Sequence, residues 1–249
     1  MALLQRAPWS TFWSDVSSDS ARTALWLSVK TSTIAAFISL AVGVPIAVLT
    51  SRRTGAFVRA AITLPMVLPP VVGGVALLFA FGRRGMVGQW LHRWFDLQLP
   101  FTTTGVVIAE TFVALPFLVV TVDGALRSRD VRVEAAAATL GASPWFVLRH
   151  VTLPSIAPSI MGGVLLAWAR ALGEFGATIT FAGSFPGTTQ TMPLAVFFQL
   201  EGGDPQRAVS LSIVLLVVSI AVLAVVGNVA ARRTNESPHT PVLRFGGRP

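Results

Sequence analysis

The sequence predicts an all-α integral membrane protein with about five transmembrane helices. Three observations predict it. Hydrophobic residues make up 53% of the 249 positions and charged ones only 12%, with a mean hydropathy of +0.69; soluble domains carry about 25% charged residues. The apolar residues gather in five runs, each near the roughly 20 residues that a helix needs to cross a bilayer. The arginines fall almost entirely between those runs. That placement also accounts for the net charge of +8, since nucleic-acid binding would need a basic face on a soluble fold. Helix is the state for each run because lipid offers no partner to an unpaired backbone N–H or C=O.

Residues 1–22 hold Pro8, Trp9, Phe12 and Trp13 among serines and aspartates. They read as an N-terminal interfacial segment with tryptophans at headgroup depth, because Met1–Leu4 is too short for the apolar run of a cleavable signal. A transmembrane domain follows over 23–234. Its runs are Thr23–Leu49, Ala56–Phe81 with Pro65, Pro69 and Pro70 as kinks, Thr104–Val122 with Pro116, Ala157–Phe181, and Ala208–Ala231. Gly85–Pro100, with Trp90, Leu91, Trp94 and Phe95, reads as a short amphipathic helix on the membrane surface. Gly183–Arg207 is polar apart from Pro193–Leu200. Residues 235–249 read as a disordered cytoplasmic tail. No internal repeat is evident, which counts against a carrier built from inverted halves.

Orientation follows the positive-inside rule. With the segment around Gly141 inside, the inner segments hold eleven arginines (Arg52, Arg53, Arg59, Arg127, Arg129, Arg132, Arg149, Arg232, Arg233, Arg244 and Arg248). The outer ones hold six: Arg6, Arg22, Arg83, Arg84, Arg93 and Arg207. The N-terminus is therefore expected outside and the C-terminus inside.

The inner segment at about 124–156 has the grammar of helix, turn, helix. Glu134 to Leu140 is rich in alanine, the strongest helix former. Gly141 suits a left-handed stop, Ser143 an N-cap and Pro144 the first helical position. A second helix is expected from Pro144 to about Val151, closed by Leu153-Pro154 and exposing Trp145 and Phe146 for docking.

The same residues carry a family resemblance. Glu134-Ala135-Ala136, Gly141, nine further residues and then Val151-Thr152-Leu153-Pro154 resemble the "EAA" loop of bacterial ABC-importer permease subunits. Glu134 stands seven residues before Gly141, where the commonest form has six. The resemblance implies a MetI-like permease fold in the bacterial inner membrane. It also implies that Glu134, Ala135, Ala136, Gly141, Ser143, Pro144, Trp145, Leu153 and Pro154 form a coupling loop to an ATPase.

Ionisable residues inside membrane spans are functional candidates by default. In the fourth run Arg170 and Glu174 are four apart, hence on one helix face and able to pair. They are either a structural pair or part of a gated pathway. Gly173 and Gly176 would thin the helix for close packing, and Thr178 completes the candidate pathway set. Lys30 reads as snorkelling to the headgroups, a fate open to Glu110 also. Asp123 sits at an inner helix end. His92, His150 and His239 lie in different segments, so no metal site is expected. Without cysteine there is no disulfide or thiolate site. No catalytic constellation emerges, and no catalytic residue is expected. Lys30 is the single lysine and no phosphate-binding loop surrounds it. No cofactor is expected in this chain, so any ATP and Mg belong to a partner.

Further strings, Leu64-Pro65-Met66-Val67-Leu68-Pro69-Pro70-Val71-Val72-Gly73, Gly82-Arg83-Arg84-Gly85, Ala169 to Phe181 and Pro186-Gly187-Thr188-Thr189-Gln190-Thr191, resemble the molybdate branch of these permeases. Sulfate and thiosulfate permeases share the Ala-Arg-Ala-x-Gly-Glu-Phe-Gly core, and tungstate suits the same architecture. The resemblance implies a second copy of the chain, two cytoplasmic ATP-binding subunits, an extracytoplasmic oxyanion-binding protein and surrounding membrane lipid. Nucleic acid is not a partner. The competing classes are a stand-alone channel or secondary anion carrier, and a membrane-embedded enzyme.

Overall fold

The structure, a computed structural model, describes residues 7–53 and 56–235, and among them every regular element is a helix. In chain order these are α1 Phe12–Ser17, α2 Asp19–Arg53, α3 Ala56–Val67, α4 Pro70–Phe81, α5 Gly88–Phe95 and α6 Thr103–Ser128. They continue as α7 Val131–Thr139, α8 Pro144–Ser155, α9 Ala157–Leu172, α10 Gly176–Phe181, α11 Met192–Glu201 and α12 Pro205–Asn235. Of the tail expected at 235–249, Asn235 is the last residue of α12, and 236–249, like the first six residues, lie outside the described residues.

Among the described residues three helices are long and apolar enough to cross a membrane alone: Asp19–Ser51, Thr103–Ser128 and Pro205–Ala224. Two bent pairs raise the number to as many as five if each is one span. α2 begins at Asp19, inside the segment expected to be interfacial. The second run is sharply bent at its prolines, Phe57–Val67 and Pro70–Phe81 meeting at 115°, the geometry of a broken span or of a re-entrant loop. Pro69 and Pro70 lack N–H donors, and Leu68 precedes a proline and so disfavours helix. The fourth run also breaks, with α9 ending at Leu172 and α10 starting at Gly176.

α6 is the centre of the bundle. In its most apolar window 61% is buried, against 33% for α2 and 22% for α12. Ala114, Leu118, Val122 and Leu126 of α6 pack against Ala35 and Ala47 of α2 and Ala167 and Ala171 of α9. Small residues bring the axes close, as membrane helices require when no solvent drives them together. A second core joins Leu77 of α4, Ala109 and Val113 of α6, and Ala177 and Phe181 of α10. Trp26, Phe37, Leu49, Phe79 and Ile220 are exposed on the outside of the bundle, where hydrocarbon rather than water would cover them. Phe95, Trp90 and Trp94 of α5 are exposed too, beside the basic residues His92 and Arg93 of its last turn.

Candidate functional site

Two places gather the candidate residues. The first is the loop of α7 and α8. Asp130 caps α7 by accepting from the Arg132 N–H at 2.9 Å. The helix stops at Thr139, and Gly141 then takes φ +85, a left-handed conformation in which a Cβ would be strained. The Ser143 hydroxyl accepts from the Phe146 N–H at 3.3 Å, and Pro144 occupies the first turn. α8 does not close at Leu153-Pro154. It continues to Ser155 through a π turn at Leu148–Thr152, in which the Leu153 N–H reaches the Leu148 carbonyl. Pro154 has no N–H to offer its own turn, and the wider turn carries the helix past it. Leu140, Trp145 and Phe146 are 89%, 68% and 50% exposed. Phe146 is stacked on His150 at 4.3 Å. A concavity of about 560 Å³ opens beside them, lined by Ala137, Leu140, Gly141, Ala142, Ser143 and Phe146. Ala135 and Ala136 are exposed on α7.

Glu134 is turned the other way. Arg129 holds it through Nε–Oε1 at 2.6 Å and Nη2–Oε2 at 3.1 Å, and Thr152 donates to Oε1 at 2.6 Å. Neither Arg129 nor Thr152 was a sequence candidate, although an arginine five residues from the acidic residue, across a helix start, was the available signal.

The second place lies within the bundle. The 16 residues of α9 separate it from the loop by roughly 24 Å at 1.5 Å per residue. Arg170 Nη1 pairs with Glu174 Oε2 at 2.5 Å, and Glu174 Oε1 accepts from the Ala177 N–H at 2.8 Å. The pair therefore spans a break rather than sharing one continuous helix face. Glu174 is 1% exposed and Arg170 27%, so the cation retains an open side. Gly173 is the C-cap of α9, and a Cβ there would meet only the Ala169 carbonyl at 3.6 Å. Within this chain it makes no close packing contact. Gly176 does, since a Cβ would come within 2.9 Å of Pro70 Cβ and 3.0 Å of Val71 N. Thr178 is buried in α10. Glu110 does not snorkel: it is 1% exposed and accepts from Thr31 of α2 at 2.9 Å. Lys30 is exposed. Asp123 pairs with Arg127 at 2.8 Å.

Apolar helices long enough to cross a membrane, with an ion pair at the break between α9 and α10 whose carboxylate is buried, define a membrane-embedded helical protein. Residues 39–235 match the family described as "Binding-protein-dependent transport system inner membrane component", and the chain belongs to that family. It is a multi-pass component of the inner membrane. It is 46% identical over 230 residues to the "Molybdenum transport system permease protein ModB" of Mycobacterium tuberculosis, covering 91% of this chain and 86% of that one. The protein of the same description from Escherichia coli is 42% identical over 206 residues, 80% and 90% of the two chains. The "Sulfate transport system permease protein CysT" of Escherichia coli is 30% identical over 234 residues, 92% and 83%. Among solved structures, a bacterial ABC transporter "involved in the import of the acidic polysaccharide alginate" superposes with a TM-score of 0.75 at 15% identity, over 90% of this chain and 83% of that one. That likeness concerns the fold.

Proposed function

We propose that this chain is the membrane-spanning, non-catalytic permease subunit of an ATP-driven importer that carries molybdate into the cytoplasm. The observation that carries the proposal is the docking loop: a capped helix presenting Trp145 and Phe146 to solvent beside a concavity and Leu140. An exposed apolar helix face of this kind fits a groove on a partner. The partner is a cytoplasmic ATP-binding subunit, two copies of which serve two copies of this chain. An extracytoplasmic binding protein delivers the oxyanion. Closing of the ATP-bound pair draws the two loops together and moves the bundle between inward and outward openings. ATP and Mg sit on the partner. Arg170, with its open side, is the group in the bundle suited to a passing dianion, and Glu174 keeps it from binding that dianion too tightly. Molybdate is supported over sulfate by the higher identity to the molybdenum permeases.

The test is uptake of labelled molybdate, with sulfate and tungstate as competitors, in cells with and without this chain. Uptake that requires the chain and resists sulfate supports the proposal. Unchanged molybdate uptake with impaired sulfate uptake moves the chain to sulfate. Ion flux through the chain alone, without an ATP-binding partner, would make it a channel or carrier.

A further inference from the structure

Glu134 stands seven residues before Gly141. On an α-helix one residue is a rotation of about 100°. Its carboxylate therefore faces away from the position six before Gly141, which Ala135 holds on an exposed face of α7. The Glu134 side chain is 19% exposed, and that of Arg129, on which it closes, 16%. Both carboxylate oxygens are engaged within the chain, by Arg129 and Thr152. Arg129 also donates through Nη1 to the Leu126 carbonyl in the last turn of α6, and Leu126 belongs to the core shared with α2 and α9. Thr152 is 2% exposed and lies in the π turn of α8. One charge-assisted cluster thus joins the central membrane helix, α7 and the helix that carries Trp145 and Phe146.

We propose that Arg129, Glu134 and Thr152 form an internal strut that carries displacement of α8 directly into the inner end of α6, and that Glu134 makes no contact with the ATP-binding partner. The proposal rests on the reading that α8 docks on such a partner. The chain's own route from α8 into the bundle runs through α9, which α8 meets at a 67° bend around Ile156. A bend of that kind can flex and absorb motion. A paired guanidinium and carboxylate, making two bonds, resists relative rotation and bypasses the bend. Arg129, Glu134 and Thr152 are positioning residues in this account.

The test uses proteoliposomes holding this chain assembled with its ATP-binding subunit and supplied with the external binding protein. Glu134→Gln keeps an oxygen for Thr152 and loses the ion pair. Molybdate uptake per ATP hydrolysed is expected to fall about tenfold, the scale of one hydrogen bond to a charged group, while co-purification with the ATP-binding subunit is retained. Arg129→Glu combined with Glu134→Arg restores opposite charges and is expected to recover most of the coupling, which a general packing role would not. Wild-type coupling in Glu134→Gln, or cross-linking of a Glu134→Cys variant to the ATP-binding subunit, overturns the proposal. If Glu134→Gln does not assemble, the swapped pair decides: recovered coupling supports the strut and its absence overturns it. Trp145→Ala separates the two levels. If it binds the ATP-binding subunit as well as wild type does, the docking reading itself fails, and the strut with it. If it does not bind while Glu134→Gln couples normally, only the strut fails.

Discussion

Gly74 and Gly176 hold α4 against α10 at backbone contact. A Cβ at Gly74 would lie 1.7 Å from Thr180 Oγ1 and 2.7 Å from the Ala177 carbonyl oxygen. Thr180 could turn away, but the Ala177 backbone could not. Gly74→Ala should therefore destabilise the bundle by about 1–3 kcal/mol, the usual scale of overpacking. Gly162→Ala, with nothing within 4 Å of the added Cβ, should be neutral or slightly stabilising; thermal unfolding of the two variants in detergent would check the contrast. Arg170→Ala leaves Glu174, 1% exposed, without its cation. Removing one partner of a buried pair costs about 3–5 kcal/mol, and Glu174→Gln added to it should restore much of that loss. If the double variant assembles like wild type yet does not transport, Arg170 serves the pathway; if it transports normally, the pair is structural. Gly173 and Gly176 are indistinguishable as letters in one string. Only the arrival of Pro70 and Val71, about a hundred residues away, makes one a packing contact and leaves the other a cap.

At the scale of elements, the α7–α8 loop follows local chemistry. Ser143→Ala removes the bond to the Phe146 N–H and should weaken α8 by about 0.5–2 kcal/mol. Gly141→Val forces a β-branched side chain to φ +85, a strain of roughly 1–2 kcal/mol or more. Its expected result is reduced co-purification with the ATP-binding subunit or ATP hydrolysis without uptake; unaltered coupled transport would contradict the assignment of this turn. The helix start at Pro144, the serine cap and the glycine stop were legible because each depends on neighbours within four residues. The spans were legible because lipid demands long apolar runs. The breaks were only partly legible. Prolines mark the α3–α4 junction, yet nothing local tells a kink from a 115° corner; the packing of α4 on α10 decides it. Thr31 with Glu110, 79 residues apart, and Thr152 with Glu134, 18 apart, are tertiary pairings that periodicity cannot announce. The continuation of α8 to Ser155 was not legible because a π turn at Leu148–Thr152 places Pro154 in the first turn of the segment after it, where its missing N–H costs little.

For the whole molecule, α6 lies at the centre and α8, with Trp145 and Phe146 exposed, is tied to its inner end through Arg129 and Glu134, an arrangement that suits the proposed transmission of force. The expected orientation places α7 and α8 in the cytoplasm. The chain has no cysteine, so a single cysteine at Ala142 is a unique label. It should react with an impermeant thiol reagent in inverted vesicles and not in intact spheroplasts. The most direct test of the central claim is accumulation of labelled molybdate in proteoliposomes that hold this chain, its ATP-binding subunit and the external binding protein. Accumulation against a gradient that requires ATP, and that Trp145→Ala abolishes, is the predicted result. Movement of molybdate through this chain without ATP or the ATP-binding subunit, or accumulation indifferent to Trp145, would contradict it.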